Sequence, residues 1–173
     1  MHDRHPLVGS DIAVRGVRLH VIDRGKATTP TVLFLHGVPT TGYLWHDVVR
    51  GLEHRFRCVV PDLVGLGDSE SPHDRAAYGL NQQAQTMLAL LDHLGVDDVL
   101  VAGHDIGGTI AALMAGLAPE RVRGLALLSP VLHTDAWPVR AALPFTLPYI
   151  GDTALVAVQR VPGLGEQILR RAV

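Results

Sequence analysis

The sequence lacks most features that mark secreted, membrane-bound or nucleic-acid-binding proteins. Its 173 residues include one cysteine, Cys58, so no disulfide can form within the chain and a reducing compartment fits. Cys58 lies in an apolar run, and we expect it to be a small core residue rather than a nucleophile. The formal net charge is only −2, which gives no reason to expect nucleic acid or an anionic membrane as a partner.

Long apolar segments are also lacking. No stretch approaches the length of a membrane span, and none follows the first six residues, so we expect no signal peptide. The chain has no internal repeat and no low-complexity segment. With 47% apolar and 18% charged residues, it has the composition of a globular domain. We therefore expect a soluble cytoplasmic protein, and nothing in the sequence implies a cofactor or a metal.

Apolar runs alternate with helical patterns along most of the chain. Strands are predicted at residues 12–14, 17–22, 31–35, 56–60, 99–102 and 122–128, and helices at 43–52, 78–94 and 109–117. The first two strands predict a hairpin at a sheet edge. The third is continuously apolar, as is typical of a strand buried on both faces of a parallel sheet. The alternation predicts an α/β fold with a mostly parallel sheet.

One stretch organises this pattern. The apolar run before Gly103 leads into His104, Asp105, Ile106 and Gly107, and an alanine-rich helical segment follows. Strand, sharp turn and helix around a nucleophile between two glycines is the G-x-nucleophile-x-G elbow, here with aspartate where serine is more familiar. A Cβ at either glycine would crowd the turn, and the first amides of the helix suit an anion. We predict a nucleophilic Asp105; the alternative is a glycine-rich turn of any parallel sheet.

The alternation of apolar runs and helical patterns ends after Ser129. Five prolines then break the chain into short pieces, at positions 130, 138, 144, 148 and 162. This region is too interrupted for another strand-helix unit, and we expect a helical insertion over the carboxyl edge of the sheet. The predicted domains are residues 1–133, the N-terminal part of the core, and 134–173, the start of a helical cap.

Two further motifs accompany the elbow. His36, Gly37, Val38 and Pro39 follow a predicted buried strand and precede Trp45, and residues 62–69 have the pattern D-x-x-G-x-G-x-S. In this order and spacing, the three motifs resemble the α/β-hydrolase superfamily, in its branch with an aspartate nucleophile, the epoxide hydrolases and the haloalkane or haloacetate dehalogenases. The resemblance extends over about residues 17–129, and it implies an α/β-hydrolase fold.

The resemblance also implies a mechanism. Asp105 would attack an electrophilic carbon of a small apolar substrate and form an alkyl-enzyme ester, which a histidine-activated water would hydrolyse. The backbone N–H groups of Val38 and Ile106 are the implied oxyanion-hole donors. We expect His36 to stabilise its turn and His104 to pack or orient the elbow. Asp62 and Asp68 are expected to stabilise their loop.

Two positions depart from the dehalogenase pattern. Haloalkane dehalogenases usually hold the leaving halide with a tryptophan after the nucleophile and often an asparagine in the oxyanion loop. Ile106 and Val38 occupy these places, and neither side chain can donate a hydrogen bond. Nor can Ile106 replace the arginine with which haloacetate dehalogenases bind carboxylate. Epoxide hydrolases need only the backbone there and use cap tyrosines, for which Tyr149 is a candidate. An epoxide hydrolase-like function is therefore preferred, with Trp45 and Tyr149 as candidate pocket residues.

The resemblance leaves the catalytic base unassigned. The family's histidine follows the last strand, whereas His133 is the only histidine after Asp105, and Ser129 stands near one position used for the acid. We expect an N-terminal fragment or truncated product that ends within the cap and shows no turnover. Its incomplete sheet edge invites self-association. The alternatives are a dehalogenase-like hydrolase, a fragment completed by another polypeptide and a non-catalytic binder of a small apolar ligand.

Overall fold

A computed structural model of the chain describes residues 7–131. The predicted cap, 134–173, lies outside these residues, so the division of the chain into two domains stays a prediction. The described strands are β1 (Ser10–Val14), β2 (Val17–Arg24), β3 (Thr31–Leu35), β4 (Arg57–Pro61), β5 (Val99–His104) and β6 (Val122–Leu128). The helices are α1 (His46–Leu52), α2 (Leu80–His93) and α3 (Ile106–Leu117), with short 3-10 helices at Gly42–Trp45 and Arg75–Tyr78.

The six strands form one mixed sheet in the order β1-β2-β4-β3-β5-β6. The hairpin predicted at the sheet edge is present, with β1 antiparallel to β2 and β2 antiparallel to β4. The other neighbours, β4 with β3, β3 with β5 and β5 with β6, are parallel. The predicted α/β fold with a mostly parallel sheet is therefore confirmed. The carboxyl ends of β4, β3 and β5 meet at one edge, where open α/β sheets place their sites.

Several element boundaries differ from the predicted ones. The helix predicted from residue 43 begins as the 3-10 helix Gly42–Trp45, capped by Thr41, whose hydroxyl accepts from the Tyr43 N–H at 3.3 Å. The helix predicted from residue 78 begins at Leu80, because Gly79 is extended. The strand predicted to end at residue 102 continues to His104, because its ladder with β6 extends to the pair His104 and Leu128. Gly103 does not end β5, because its backbone is paired with β3 on one side and with β6 on the other.

The core occupies both faces of the sheet. Alternate residues of β3 point to opposite faces, so Leu33 and Leu35 pack with the α2 and α3 side, whereas Val32 and Phe34 pack with Trp45 and α1. All five residues of β3 are buried, as predicted for a central strand. Cys58 is buried in the cluster that contains Trp45. Burial is the main cause that raises the pKa of its thiol to about 11. A thiol with that pKa is protonated at neutral pH and behaves as a core residue.

The β6 end of the sheet is apolar and uncovered in the part of the chain that the structure describes. Leu125, Leu127 and Leu128 are each more than a third exposed. On the face that carries α1, an open groove of about 480 Å³ extends from Trp45 and Leu52 across β5 to β6. Arg123 is the one charged residue of β6 and pairs with Asp98 at 3.1 Å. The rest of the strand, residues 124–128, carries no charge or proline that would discourage pairing with another strand.

No helix within residues 7–131 is long and apolar enough to cross a bilayer.

Self-association through this edge is the first testable prediction. We expect the association constant, measured by sedimentation over a range of concentrations, to fall about tenfold or more in Leu125→Lys, because an edge lysine opposes strand pairing. Leu117→Lys is the matched control, since Leu117 is also an exposed leucine but lies at the end of α3. A chain that is monomeric at every concentration, or equal effects of both substitutions, would contradict the prediction.

Candidate active site

Three loops meet at the carboxyl edge of the parallel strands. The segment from His36 follows β3, Asp62 follows β4, and Asp105 follows β5. Because β3 lies between β4 and β5, the first loop contacts both of the others. The motifs that are separated in sequence are therefore adjacent in space.

Asp105 has a strained backbone. Its φ of 54° and ψ of −124° lie outside the regions that a residue with a Cβ normally adopts, at a cost of about 1–3 kcal/mol. The Asp105 N–H donates to the Leu128 carbonyl at 3.0 Å, and the Asp105 carbonyl accepts from the Gly108 N–H at 3.0 Å. The residue is thus held between the end of β6 and the first turn of α3. This is the strand-to-helix elbow that the sequence predicts.

Two glycines permit the helix to begin so close to the strands. A Cβ at Gly103 would collide with the Gly107 carbonyl, and a Cβ at Gly107 would collide with the carbonyls of Leu35 and His36. All of these obstacles are backbone atoms, which cannot rotate away as a side chain can. The crowding that the sequence predicts at both positions is therefore present.

The Asp105 carboxylate is bound on one oxygen. The Val38 N–H donates to Asp105 Oδ2 at 2.9 Å. The Val38–Pro39 peptide bond is cis. Ile106 is the first residue of α3, so its N–H has no acceptor within the helix, while its side chain packs against the core. The structure thus brings Val38 to Asp105 and places an orphan amide directly after Asp105.

His36 is fully buried and engaged on both ring nitrogens. Its Nε2 lies 3.0 Å from the Leu63 nitrogen and its Nδ1 lies 3.0 Å from the Gly37 carbonyl. Because a backbone N–H can only donate and a carbonyl can only accept, the ring is neutral with its proton on Nδ1. Burial is the main cause that lowers the pKa of His36, opposed by the Gly37 hydrogen bond and the Asp62 charge. These contacts are those of a histidine that stabilises a turn.

Asp62 is a buried carboxylate that organises its own loop. Its Oδ1 accepts from the Gly42 N–H at 2.6 Å, and its Oδ2 accepts from the Asp68 N–H at 2.8 Å. The Ser69 hydroxyl donates to the Asp62 carbonyl at 2.7 Å. Asp62 Oδ1 also lies 3.8 Å from His36 Nε2. The two loops are therefore connected through His36 and Asp62.

Other candidate residues lie apart from this arrangement. Trp45 packs against Phe34 with ring centroids 5.2 Å apart, and the groove that it lines includes neither Asp105 nor Val38. Its role as a pocket residue stays a prediction. The His104 ring is partly buried, and its Nδ1 has no hydrogen-bond partner among the described residues. Tyr149 lies outside them. No cluster of three or more metal-ligating side chains occurs within residues 7–131.

Two hydrogen-bonded contacts of this site were not predicted from the sequence. Thr40 donates from its N–H at 3.0 Å and from its hydroxyl at 2.8 Å to the Gly37 carbonyl, and the Leu63 N–H anchors His36. The first has a local signal, because threonine is favoured in turns where its hydroxyl bonds nearby backbone. The second has none, since a backbone donor 27 residues away depends only on strand order.

The crowding at Gly107 makes a second prediction. Gly107→Ala should lower the free energy of unfolding by about 1–3 kcal/mol, because its Cβ meets backbone carbonyls. Gly116→Ala, in the same helix but facing open space, should raise it by up to about 1 kcal/mol. Urea denaturation followed by circular dichroism measures both. Equal effects of the two substitutions would show that the helix does not approach β3 as described.

The buried neutral His36 makes a third prediction. Its pKa in the folded chain lies below the ordinary 6.5, so the unfolded chain takes up the proton first. The stabilising contribution is complete above pH 6.5 and declines as the pH falls through the lower folded pKa. The free energy of unfolding of His36→Gln should therefore depend less steeply on pH below 6.5 than that of the unmodified chain. Parallel pH dependences would contradict a buried, neutral imidazole.

Comparison with known proteins agrees with this architecture. The family model of the alpha/beta hydrolase fold matches residues 30–165. Haloalkane dehalogenase 2 of Mycobacterium tuberculosis is 41% identical over 110 residues, which cover 64% of this chain and 37% of that protein. Epoxide hydrolase 1 of Siraitia grosvenorii is 35% identical over 158 residues, which cover 91% of this chain and 49% of that protein. The chain thus spans half or less of these curated relatives.

Solved structures give the same result. An epoxide hydrolase from Vigna radiata is 30% identical, with a TM-score of 0.76 over 92% of this chain and 55% of that one. A haloalkane dehalogenase from Bradyrhizobium elkani is 28% identical, with a TM-score of 0.76 over 93% of this chain and 56% of that one. With its strand order, its elbow and the family match over residues 30–165, the chain belongs to the α/β-hydrolase fold family, and its relatives include haloalkane dehalogenases and epoxide hydrolases.

Proposed function

We propose that Asp105 is the nucleophile of a hydrolase that forms an alkyl-enzyme ester with a small apolar electrophile, in the manner of an epoxide hydrolase. The observation that carries the proposal is the 2.9 Å hydrogen bond from the Val38 N–H to Asp105 Oδ2. It orients the carboxylate and leaves Oδ1 as the oxygen for attack. The strained backbone of Asp105 supports the same role, because such strain is concentrated at functional sites.

In the first step, Asp105 Oδ1 attacks a carbon of the epoxide. The carbon–oxygen bond of the ring breaks, its electron pair stays on the epoxide oxygen, and that oxygen takes a proton from water. The product is an ester whose carbonyl oxygen is Oδ2. When water attacks the ester carbon, the negative charge that develops on Oδ2 faces the Val38 N–H, a donor of the kind worth about 3 kcal/mol or more in the transition state.

The side chains beside the carboxylate favour an epoxide over a halide. A leaving halide needs hydrogen-bond donors, and neither Val38 nor Ile106 has a donor on its side chain. An epoxide releases no leaving group, because its oxygen stays attached to the alkyl group and takes its proton from water, so it needs no halide site beside Asp105. The second candidate is a haloalkane dehalogenase, which the 41% identity to Haloalkane dehalogenase 2 favours.

The water-activating base is unassigned. Both ring nitrogens of His36 are engaged, by Leu63 and Gly37, and His20 Nδ1 is engaged by Asp11. His133, the only histidine after Asp105, lies outside the described residues. We therefore propose that the ester on Asp105 forms and persists in this chain. The buried cysteine fits a reducing, cytoplasmic setting.

The fourth prediction is that an ester forms on Asp105, and intact-mass spectrometry after exposure to small epoxides and haloalkanes measures it. We expect a gain equal to one whole epoxide in the unmodified chain and none in Asp105→Asn, which has the same shape but a far weaker nucleophile. A gain of an alkyl group in place of hydrogen would instead identify dehalogenation. Circular dichroism verifies that both chains are folded.

Two results would contradict the proposal. A folded chain that gains no mass, yet binds an apolar ligand saturably even as Asp105→Ala, would be a binding protein rather than a hydrolase. Steady-state hydrolysis by a homogeneous preparation would show that the chain holds a working base and that the ester does not persist.

A further inference from the structure

The donor that faces Asp105 belongs to a peptide unit that is held on its other side. The Val38 N–H and the Gly37 carbonyl are the two polar ends of one planar group. The Gly37 oxygen accepts from His36 Nδ1 at 3.0 Å, from the Thr40 N–H at 3.0 Å and from the Thr40 hydroxyl at 2.8 Å. Three donors thus converge on the oxygen opposite the Val38 N–H.

These three hydrogen bonds fix the orientation of the whole Gly37–Val38 peptide group, because the group is planar. In a trans peptide the carbonyl and the N–H point in opposite directions, so fixing the Gly37 oxygen also fixes the direction of the Val38 N–H. Hydrogen bonds to the carbonyl also polarise the peptide, which makes its N–H a stronger donor. The Val38 side chain cannot provide this control, since it is 53% exposed.

The His36 donor is itself held in place. Its Nε2 accepts from the Leu63 N–H at 3.0 Å, and the ring has no exposed surface. This second contact keeps the proton on Nδ1, where it can be donated to Gly37. The loop after β4 therefore sets the protonation of a group that acts on the loop after β3.

We propose that His36 and Thr40 are positioning residues that aim and polarise the Val38 N–H toward Asp105. Neither touches the reacting atoms; both act through the Gly37–Val38 peptide. The effect on the Val38 amide stands on these contacts alone, whereas its effect on catalysis rests on the proposed function of Asp105.

The first test removes the Thr40 hydroxyl while keeping its shape. Thr40→Val should speed hydrogen exchange of the Val38 amide, measured by NMR, about threefold to tenfold, and Thr40→Ser should restore it, because serine keeps the hydroxyl. Unchanged exchange in Thr40→Val, in a chain of native secondary structure, would overturn the proposal.

The second test separates the two hydrogen bonds of His36. His36→Asn can keep a donor near the position of Nδ1 but loses the acceptor for Leu63, whereas His36→Gln can keep the acceptor near Nε2 but loses the donor to Gly37. Exchange of the Val38 amide should be faster in His36→Gln than in His36→Asn. The reverse order would overturn the role of His36 even if both variants were less stable.

The third test follows the acyl step with hydroxylamine. Its nitrogen attacks the carbonyl carbon of the Asp105 ester, charge develops on Oδ2, and collapse expels the alkoxide as the alcohol, leaving a hydroxamate on Asp105. Thr40→Val should slow this cleavage about threefold to tenfold, and Thr40→Ser should restore it. If the ester forms but is cleaved equally fast in Thr40→Val, the positioning role is wrong. If no ester forms in the folded chain, the proposed function fails, and amide exchange still decides the positioning role.

Discussion

The backbone of Asp105 is the constraint on which the rest of the site depends. A φ of 54° at a residue with a Cβ persists only when its surroundings over-determine it. Here the Leu128 carbonyl holds the Asp105 N–H, and the Gly108 N–H holds its carbonyl. Because Gly107 has no Cβ, the first turn of α3 can lie directly against the backbone at the end of β3. The carboxylate consequently points at the loop after β3, where the Val38 N–H donates to it.

The second feature is a buried hydrogen-bond network beside Asp105 that combines a neutral imidazole with the Asp62 carboxylate. His36 bonds Leu63 and Gly37, and Asp62 bonds Gly42 and Asp68. Each buried polar atom in these contacts has a partner, as low-dielectric surroundings require. Because the imidazole is neutral, the network adds no competing positive charge beside Asp105. It supports the position of the Val38 N–H without attracting the carboxylate away from it.

The two ends of the sheet differ in a way that bears on stability and association. The hairpin end consists of the antiparallel pair β1 and β2, and it carries the ion pair of Arg18 with Asp11 at 3.0 Å. The β6 end exposes leucines and an apolar groove in the part of the chain described. An apolar edge with unpaired backbone groups is a template for further strands. The site lies between these ends, at the carboxyl edge of the best-buried strands.

Local pattern was sufficient to predict much of this protein. The strands at 31–35 and 122–128 have the predicted bounds, because mostly apolar runs between turn residues have few alternatives. The order of elements and the elbow glycines followed from the same pattern, since side-chain period and the missing Cβ are properties of single segments. The placement of Val38 near Asp105 came only from a family resemblance, not from spacing.

Tertiary structure alone decided how the loops engage. Strand order places β3 between β4 and β5, and no local pattern encodes that order. It puts the Leu63 N–H within 3.0 Å of His36 and the Val38 N–H within 2.9 Å of Asp105. It also buries Trp45 against Phe34. Sequence by itself determined which residues are candidates for the chemistry, because residue type sets what a group can donate or attack. The fold determined which groups meet, because hydrogen bonds require distances that only packing provides.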